Sequence, residues 1–568
     1  MSSIISDMDP DTAQLILPEL LMLGGIIAMI LVPNLGDATM RIPLTRTRIP
    51  ILIGGTRFTT TNNPKLPNQI ATTALALAFL TSLLFLGEEG EVGNSLHVDE
   101  FSRMFTLVFT AALVLASLAT TARLPARPGA SAPLDTDSTA RSDGKVNALI
   151  DNRRQVDFHI LLLTTGLGMS LMAMATNLFM LFVCLELASL SSYVLVAFHK
   201  EADVGGEAGT KYFIVGSVVS AVGIYGMSLL YLWNGSLDMA DLATSWDAME
   251  TMDPFAAIGV GLMLVAFGFK VGAAPFHLAV PDAYAGASSP IAGVLATASK
   301  AMGFVALMRL LLVVTMPPAG QASWLLVLAL VAVVTMTWGN LAALGSTNPK
   351  RMLAYSSVAH AGYMLAAITA IGALNWEDGH IDMSNDAALV VVTALIFHLT
   401  VLVCFKLGAF LVLSLLESEK GGHTLESLGG LAKRDPFLAV AMFIFMMSLA
   451  GVPPLSGFVS KLLVIMGIVK AALLDVTVNS ELVFGDIHWV WFLALLMIIN
   501  SAISVFYYLR VGLVMYFHEP EEGREGPLPR GTPVRFAIIA CLITTIYFGV
   551  GAGQLIALCE SAANALIG

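Results

Sequence analysis

Fourteen apolar runs, each close to the ~20 residues a membrane-spanning helix needs, limit this chain more than any other feature. They lie near 14–33, 71–87, 102–121, 157–175, 177–198, 211–233, 255–281, 290–315, 323–344, 353–374, 387–416, 436–470, 488–517 and 534–558. Only 12% of the 568 residues are charged, against about 25% in soluble domains. A conventional soluble core is excluded, and an all-α polytopic membrane protein is expected. Backbone polar groups in lipid must be satisfied within the chain, which favours helices.

The loops predict an orientation. Lysine and arginine collect in 34–70, 122–156, 345–352, 417–435 and 518–533, whereas 88–98, 234–254, 375–386 and 471–487 are acidic or neutral. By the positive-inside rule the basic side is cytoplasmic, and fourteen spans then put both termini outside. Loops 34–70 and 122–156, rich in Pro, Thr, Ser, Asp and Arg, read as solvated or partly disordered insertions. Ile51–Gly55 reads as a short interfacial element. The N-terminus is acidic and lacks the basic region of a cleaved signal peptide.

The net charge of −12 comes largely from loops, so it does not point to nucleic acid. Cys184, Cys404, Cys541 and Cys559 are scattered singly, giving iron–sulfur, zinc and disulfide readings no support. No phosphate-binding glycine motif stands where a nucleotide fold could use it. No cofactor or metal is expected on this chain.

Two runs are interrupted in a similar way. In Gly268–His277, Lys270 ends a long apolar run, and Pro275 removes a backbone N–H and breaks the helix. In Gly451–Lys461, Pro453 and Pro454 precede Lys461. Paired Gly/Pro-interrupted segments in two halves of a chain point to inverted repeats. The reversed order of lysine and proline fits an inverted pair. A lysine in a bilayer costs roughly 2.5–3.5 kcal/mol on insertion scales, and marks a functional site by default. The blander reading is a lysine that snorkels from a helix end. Here long apolar runs on both sides oppose it.

Other ionisable residues lie deep in apolar runs: Glu186, Lys300, His360, His398 and Lys406. Each histidine alone is more often a packing residue, and Glu186 alone could be half of a structural pair. Together with Lys270 and Lys461, however, they spread over six helices. Burial and nearby carboxylates act oppositely on a lysine's proton affinity. A lysine between them can load or release a proton as its carboxylate partner is engaged or withdrawn. A mostly cationic set fits metal coordination poorly.

Several of these residues sit in recognisable motifs. Thr210–Ala221 with Tyr225–Gly226 resembles the subunit N family of proton-translocating NADH:quinone oxidoreductases, the bacterial counterparts of mitochondrial NADH dehydrogenase subunit 2. The likeness extends to Leu17–Leu20, Lys270 with Pro275–His277, Pro281–Tyr284, Leu353–Tyr363 and Gly451–Lys461, over nearly the whole chain apart from the two long loops.

The resemblance implies a fourteen-helix antiporter-like fold with two inverted five-helix repeats and broken helices seven and twelve. It divides the chain into helices one to three (1–121), a loop insertion (122–156), repeat one (157–315), repeat two (323–517) and a last helix (534–568). By position, Glu186 resembles the family's helix-five glutamate, Lys270 its helix-seven lysine, Lys300 its central helix-eight lysine and Lys461 its helix-twelve lysine. His360 matches the histidine after the Ala-Tyr-Ser-Ser motif. Lys406 stands where a neutral amide is expected before Leu-Gly-Ala-Phe, and His398 and Lys406 are further relay candidates.

The function implied is proton translocation in the membrane arm of a respiratory-chain translocase. NADH, FMN, iron–sulfur clusters and quinone would be handled by partner subunits, in a bacterial cytoplasmic membrane. A subunit of a multi-subunit sodium/proton antiporter is the alternative. A solute transporter would want a midplane pocket of aromatic and amide groups, and an inert scaffold would have no use for the buried charges.

Overall fold

The computed structural model describes residues 10–31, 39–41, 48–50, 66–120, 140–198, 203–315, 322–372, 386–417, 424–473, 488–520, 526, 528 and 531–567. The expected element at Ile51–Gly55 lies outside these residues. Helix dominates throughout. After a first turn Pro10–Leu15 come α1 (Leu17–Leu31), α2 (Leu66–Leu84), α3 (Glu100–Ala119), α4 (Ala140–Ala173), α5 (Leu178–Val196) and α6 (Asp203–Asn234). The seventh run is divided into α7a (Pro254–Val271), a 3₁₀ turn (Phe276–Ala279) and α7b (Val280–Gly286). Next are α8 (Ser289–Val314), α9 (Ala322–Gly345) and α10 (Pro349–Ile371). Asp386–Leu402, a π turn (Val403–Leu407) and Gly408–Leu416 run on as α11. The twelfth run is divided into α12a (Pro436–Ala450) and α12b (Ser456–Ala472); α13 (Trp491–Phe517), α14 (Thr532–Val550) and α15 (Gly553–Ile567) follow.

Among the described residues, eleven helices are long and apolar enough to cross a membrane, and three shorter apolar helices accompany them. α8 is buried along its whole spanning window and forms the axis of the bundle. α6, α9 and α13 present large apolar side chains outward, including Phe213, Ile214, Leu326, Leu330, Phe492 and Phe506. Such a face suits lipid tails or another apolar helix.

Five sequence expectations need correction. Helix α4 begins at Ala140, so the second half of loop 122–156 is helical. That stretch contains no proline, and its Arg, Lys and Ala residues are good helix formers. The acidic loop 88–98 contains an antiparallel hairpin, Gly90–Val92 with Leu96–Val98, turning at Gly93. Loop 34–70 carries a strand pair, Thr39–Arg41 with Arg48–Pro50. Loop 234–254 holds a helix, Met239–Asp247, started by the Asp238 side chain on the Ala240 N–H. The last run ends at Val550, beside Gly551, and a separate helix follows to Ile567.

The ends of the helices sort into two faces. His97 N–H bonds the Met174 carbonyl, and Leu178 N–H bonds the Leu237 carbonyl. These contacts gather loops 88–98, 174–177 and 235–239 at one end of the bundle, the face the charge pattern assigns to the outside. Close contact within the bundle depends on small residues. At α9/α10, a Cβ on Gly339 would lie 2.5 Å from the Ala359 nitrogen, and one on Gly362 would lie 2.4 Å from the Met336 nitrogen.

Candidate functional site

Both breaks are built alike. α7a ends at Gly272 and α12a at Gly451, each in the left-handed conformation that glycine adopts without cost (φ 77° and 87°). A cis peptide bond follows in each, Ala274–Pro275 and Pro453–Pro454. The left-handed glycine ends each helix: its N–H still bonds carbonyls of the last turn, Gly268 and Phe269 in one and Met447 and Ser448 in the other, while the final carbonyls, Val271 and Ala450, lie past the last helical donor.

A lysine meets each of them. Lys300 Nζ donates to the Val271 carbonyl at 2.9 Å, and Lys461 Nζ donates to the Ala450 carbonyl at 3.2 Å. Each acceptor immediately precedes the left-handed glycine, where the negative pole of the helix dipole lies. Lys461 shares this contact with Lys300, reaching over from α8, and not with Lys270, the lysine of the other broken stretch. Spacing along one run cannot show a partner supplied by a neighbouring helix.

Lys270 serves a different contact. Its Nζ lies 3.1 Å from Glu186 Oε1 and donates to Ser189 Oγ (2.6 Å) and Tyr193 Oη (2.8 Å). Ser220 from α6 donates to the same Glu186 oxygen at 2.8 Å. The Lys270 side chain is 4% exposed and that of Glu186 is 19%. Ser189 and Tyr193 lie three and seven residues after Glu186, on one face of α5, a signal the sequence offered. Ser220, from another helix, gave none.

The file continues inward. Lys270 adjoins Val271, whose carbonyl holds Lys300, and Lys300 also donates to the Ser357 carbonyl at 2.5 Å. One turn along α10 from Ser357 is His360, whose Nδ1 lies 3.0 Å from His398 Nε2. His398 Nδ1 meets Ser460 Oγ at 3.1 Å, and Ser460 adjoins Lys461, which also donates to Ser501 Oγ at 2.9 Å. Glu186, Lys270, Lys300, His360, His398 and Lys461 thus follow one another across the bundle, linked by direct contacts and by short steps along the backbone from Lys270 to Val271, from Ser357 to His360 and from Ser460 to Lys461. Lys406 joins it differently. It is fully buried in the π turn of α11, and its Nζ has no hydrogen-bond partner among the described residues.

Other buried polar groups went unread in the sequence. Asn340 joins Tyr363, Asn500 and Tyr507 between α9, α10 and α13. Arg309 Nη2 pairs with Asp99 (2.9 Å) and donates to the Ala173 carbonyl (3.1 Å), anchoring the far end of α8. Lys350, counted as a loop charge, is buried and pairs with Glu417 at 2.6 Å. Among the described residues no three His, Cys, Asp or Glu side chains are grouped to hold a metal ion.

Comparison with known proteins gives this arrangement relatives. The family model described as NADH:quinone oxidoreductase/Mrp antiporter, transmembrane, matches residues 175–484, which include every residue of the file except Ser501. NADH-quinone oxidoreductase subunit N of Heliobacterium modesticaldum is 39% identical over 414 residues, covering 73% of this chain and 79% of the relative. Subunit N 2 of Syntrophobacter fumaroxidans is 33% identical over 512 residues, covering 90% and 95%. A chain of respiratory complex I from Thermus thermophilus with bound aureothin superposes with a TM-score of 0.69 at 29% identity, over 96% of this chain and 99% of that one. A chain of the Mrp complex from Dietzia sp. shares the fold, with a TM-score of 0.73 at 19% identity over 99% and 100%. With that identity to curated relatives over most of both lengths, the chain belongs to the NADH-quinone oxidoreductase subunit N family, within the NADH:quinone oxidoreductase/Mrp antiporter transmembrane family.

Proposed function

We propose that this chain is a proton-channel subunit in the membrane arm of a proton-translocating NADH:quinone oxidoreductase. The observation that carries the reading is the file of buried ionisable residues from Glu186 to Lys461, with an amine at each helix break. Glu186 and Lys270 are the coupled pair. Withdrawal of Glu186 from Lys270 changes the field on Lys300, which is bonded to the carbonyl of the next residue, Val271, and a change at Lys300 reaches Lys461 through His360 and His398. A charge crossing ~100 mV costs about 2.3 kcal/mol, and one pKa unit is about 1.36 kcal/mol. A shift of about two units per stroke is of the right size. Lys406, buried in the π turn of α11, is a further ionisable group on the helix that carries His398.

NADH, FMN, iron–sulfur clusters and quinone belong, in this reading, to partner subunits, and this chain contributes no redox centre. The chain resides in a bacterial cytoplasmic membrane with the basic loops inside and both termini outside. Its spans comprise helices one to three (1–121), two inverted repeats (157–315 and 323–517) and a last spanning helix (Thr532–Val550), with an insertion at 122–156 and a separate helix Gly553–Ile567 at the end. The two alike breaks and their lysine caps support the pairing of the repeats.

The test is purification from the native membrane. Recovery with subunits that oxidise NADH, and proton movement by that complex in sealed vesicles, is the expected result. Sodium-dependent transport without NADH oxidation would favour the antiporter-subunit reading.

A further inference from the structure

A second buried carboxylate–lysine pair stands away from the file, and its hydrogen bonds go to backbone. Lys350 Nζ lies 2.6 Å from Glu417 Oε1, with the two side chains 4% and 8% exposed. Lys350 also donates to the Ala287 carbonyl at 2.8 Å, and Glu417 Oε2 accepts the Ser289 N–H at 3.0 Å. Ala287 closes α7b, and Ser289 opens α8. The ammonium therefore meets the carbonyl end of one helix and the carboxylate meets the amide end of the next, the favourable polarity at each. Ser288 makes no side-chain cap of its own at this corner.

The placement joins the helices that hold Lys300. α8 carries Ser289 at its start and Lys300 three turns on, with a π turn (Leu295–Ser299) between them. α10 carries Lys350 and, two turns on, Ser357, whose carbonyl accepts Lys300. α11 ends at Glu417 and carries Lys406 and His398. The Lys300–Ser357 bond therefore has its donor and its acceptor on two helices held in register by one ion pair. A cavity of about 580 Å³ lined by Ala285, Asn348, Arg351 and Tyr355 lies beside the pair, at the end of the bundle that the charge pattern makes cytoplasmic.

We propose that Lys350 and Glu417 are positioning residues for proton transfer through Lys300: they staple the α7b–α8 corner to α10 and α11 and fix Lys300 against its two carbonyl acceptors. The contrast with Glu186–Lys270 is physical. That pair is completed by hydroxyls, which rotate and let the pair part. This one is completed by the backbone of a corner, which does not rotate.

The proposal rests on Lys300 lying on the proton path, so the test includes Lys300→Ala. The variants are Glu417→Gln, Lys350→Met, Lys350→Arg and Lys300→Ala, each in the assembled complex in sealed vesicles. Protons moved per NADH are measured across pH after assembly is checked on a native gel. Glu417→Gln and Lys350→Met are expected to lower pumping about tenfold and to move its pH profile, because Lys300 would leave its two carbonyl acceptors. Lys350→Arg is expected to retain most of the pumping with the parent's pH profile. Normal pumping by Glu417→Gln and Lys350→Met, or a loss that leaves the pH profile in place, would overturn the proposal. So would failure of both to assemble, because the pair would then serve folding alone. Normal pumping by Lys300→Ala would instead remove the underlying relay reading.

Discussion

Lys270, Lys300 and Lys461 are all amines in apolar surroundings, yet their contacts assign them different work. Lys270 answers to a carboxylate, whereas Lys300 and Lys461 answer to main-chain carbonyls. Glu186→Gln keeps the shape of the Glu186 site and removes its charge. It is expected to lower protons moved per NADH by on the order of tenfold, the equivalent of ~1.4 kcal/mol. NADH oxidation should fall alongside if coupling is tight, and normal pumping would remove Glu186 from the mechanism. Arginine holds a positive charge but, with a pKa above about 12, does not release its proton. If Lys270 and Lys300 carry protons, both Lys→Arg and Lys→Ala should abolish pumping in assembled complex. If they serve only as fixed counter-charges, Lys→Arg should preserve it. The carrier outcome is expected at both positions. Lys461→Arg is expected to retain more activity, because a lysine at the end of the file can act through its charge without changing its protonation state.

At the scale of elements, much of the bundle was legible before any coordinates, because a 20-residue apolar run has few alternatives in lipid. The two breaks were legible for the same reason: Pro275, Pro453 and Pro454 cannot continue a helix. The hairpin at 90–98 and the helix at 239–247 were not, since short polar loops lack the length for a periodic signal. The lysine caps were invisible for a deeper reason. Their acceptors are the carbonyls of Val271 and Ala450, and every residue has a carbonyl. The α9/α10 interface gives a test at this scale. Gly362→Ala places a methyl against the Met336 backbone, which cannot rotate away. It is expected to cost about 1–3 kcal/mol, read as a lower melting temperature and lower yield of assembled complex. Gly345→Ala, which meets open space, should leave both unchanged.

For the whole molecule, the charge pattern of the loops and the gathering of helix ends in space agree on two faces. Labelling decides which face is which. The four native cysteines are buried, so they provide a quiet background. Single cysteines introduced into loops 34–70 and 417–435 should react only from the cytoplasm, and those in 234–254 only from outside. Reaction of loop 34–70 from outside would invert the molecule. The same arrangement explains why the site was only partly readable. Glu186, Lys270 and Lys461 announced themselves as charges in apolar runs, but Lys350 and Glu417 lie at helix ends, where a charge is ordinary. Only the packing of α8, α10 and α11 takes those two out of water.

The lysine caps at the helix breaks carry a last consequence. A carboxylate facing Lys300 or Lys461 could be neutralised by acid or erased by a single codon change. The pole that faces them is made of peptide carbonyls, which do not titrate in the biological range and are encoded by no particular side chain. Each break therefore offers its amine a constant electrical reference, and Glu186, at the head of the file, is the file's one carboxylate.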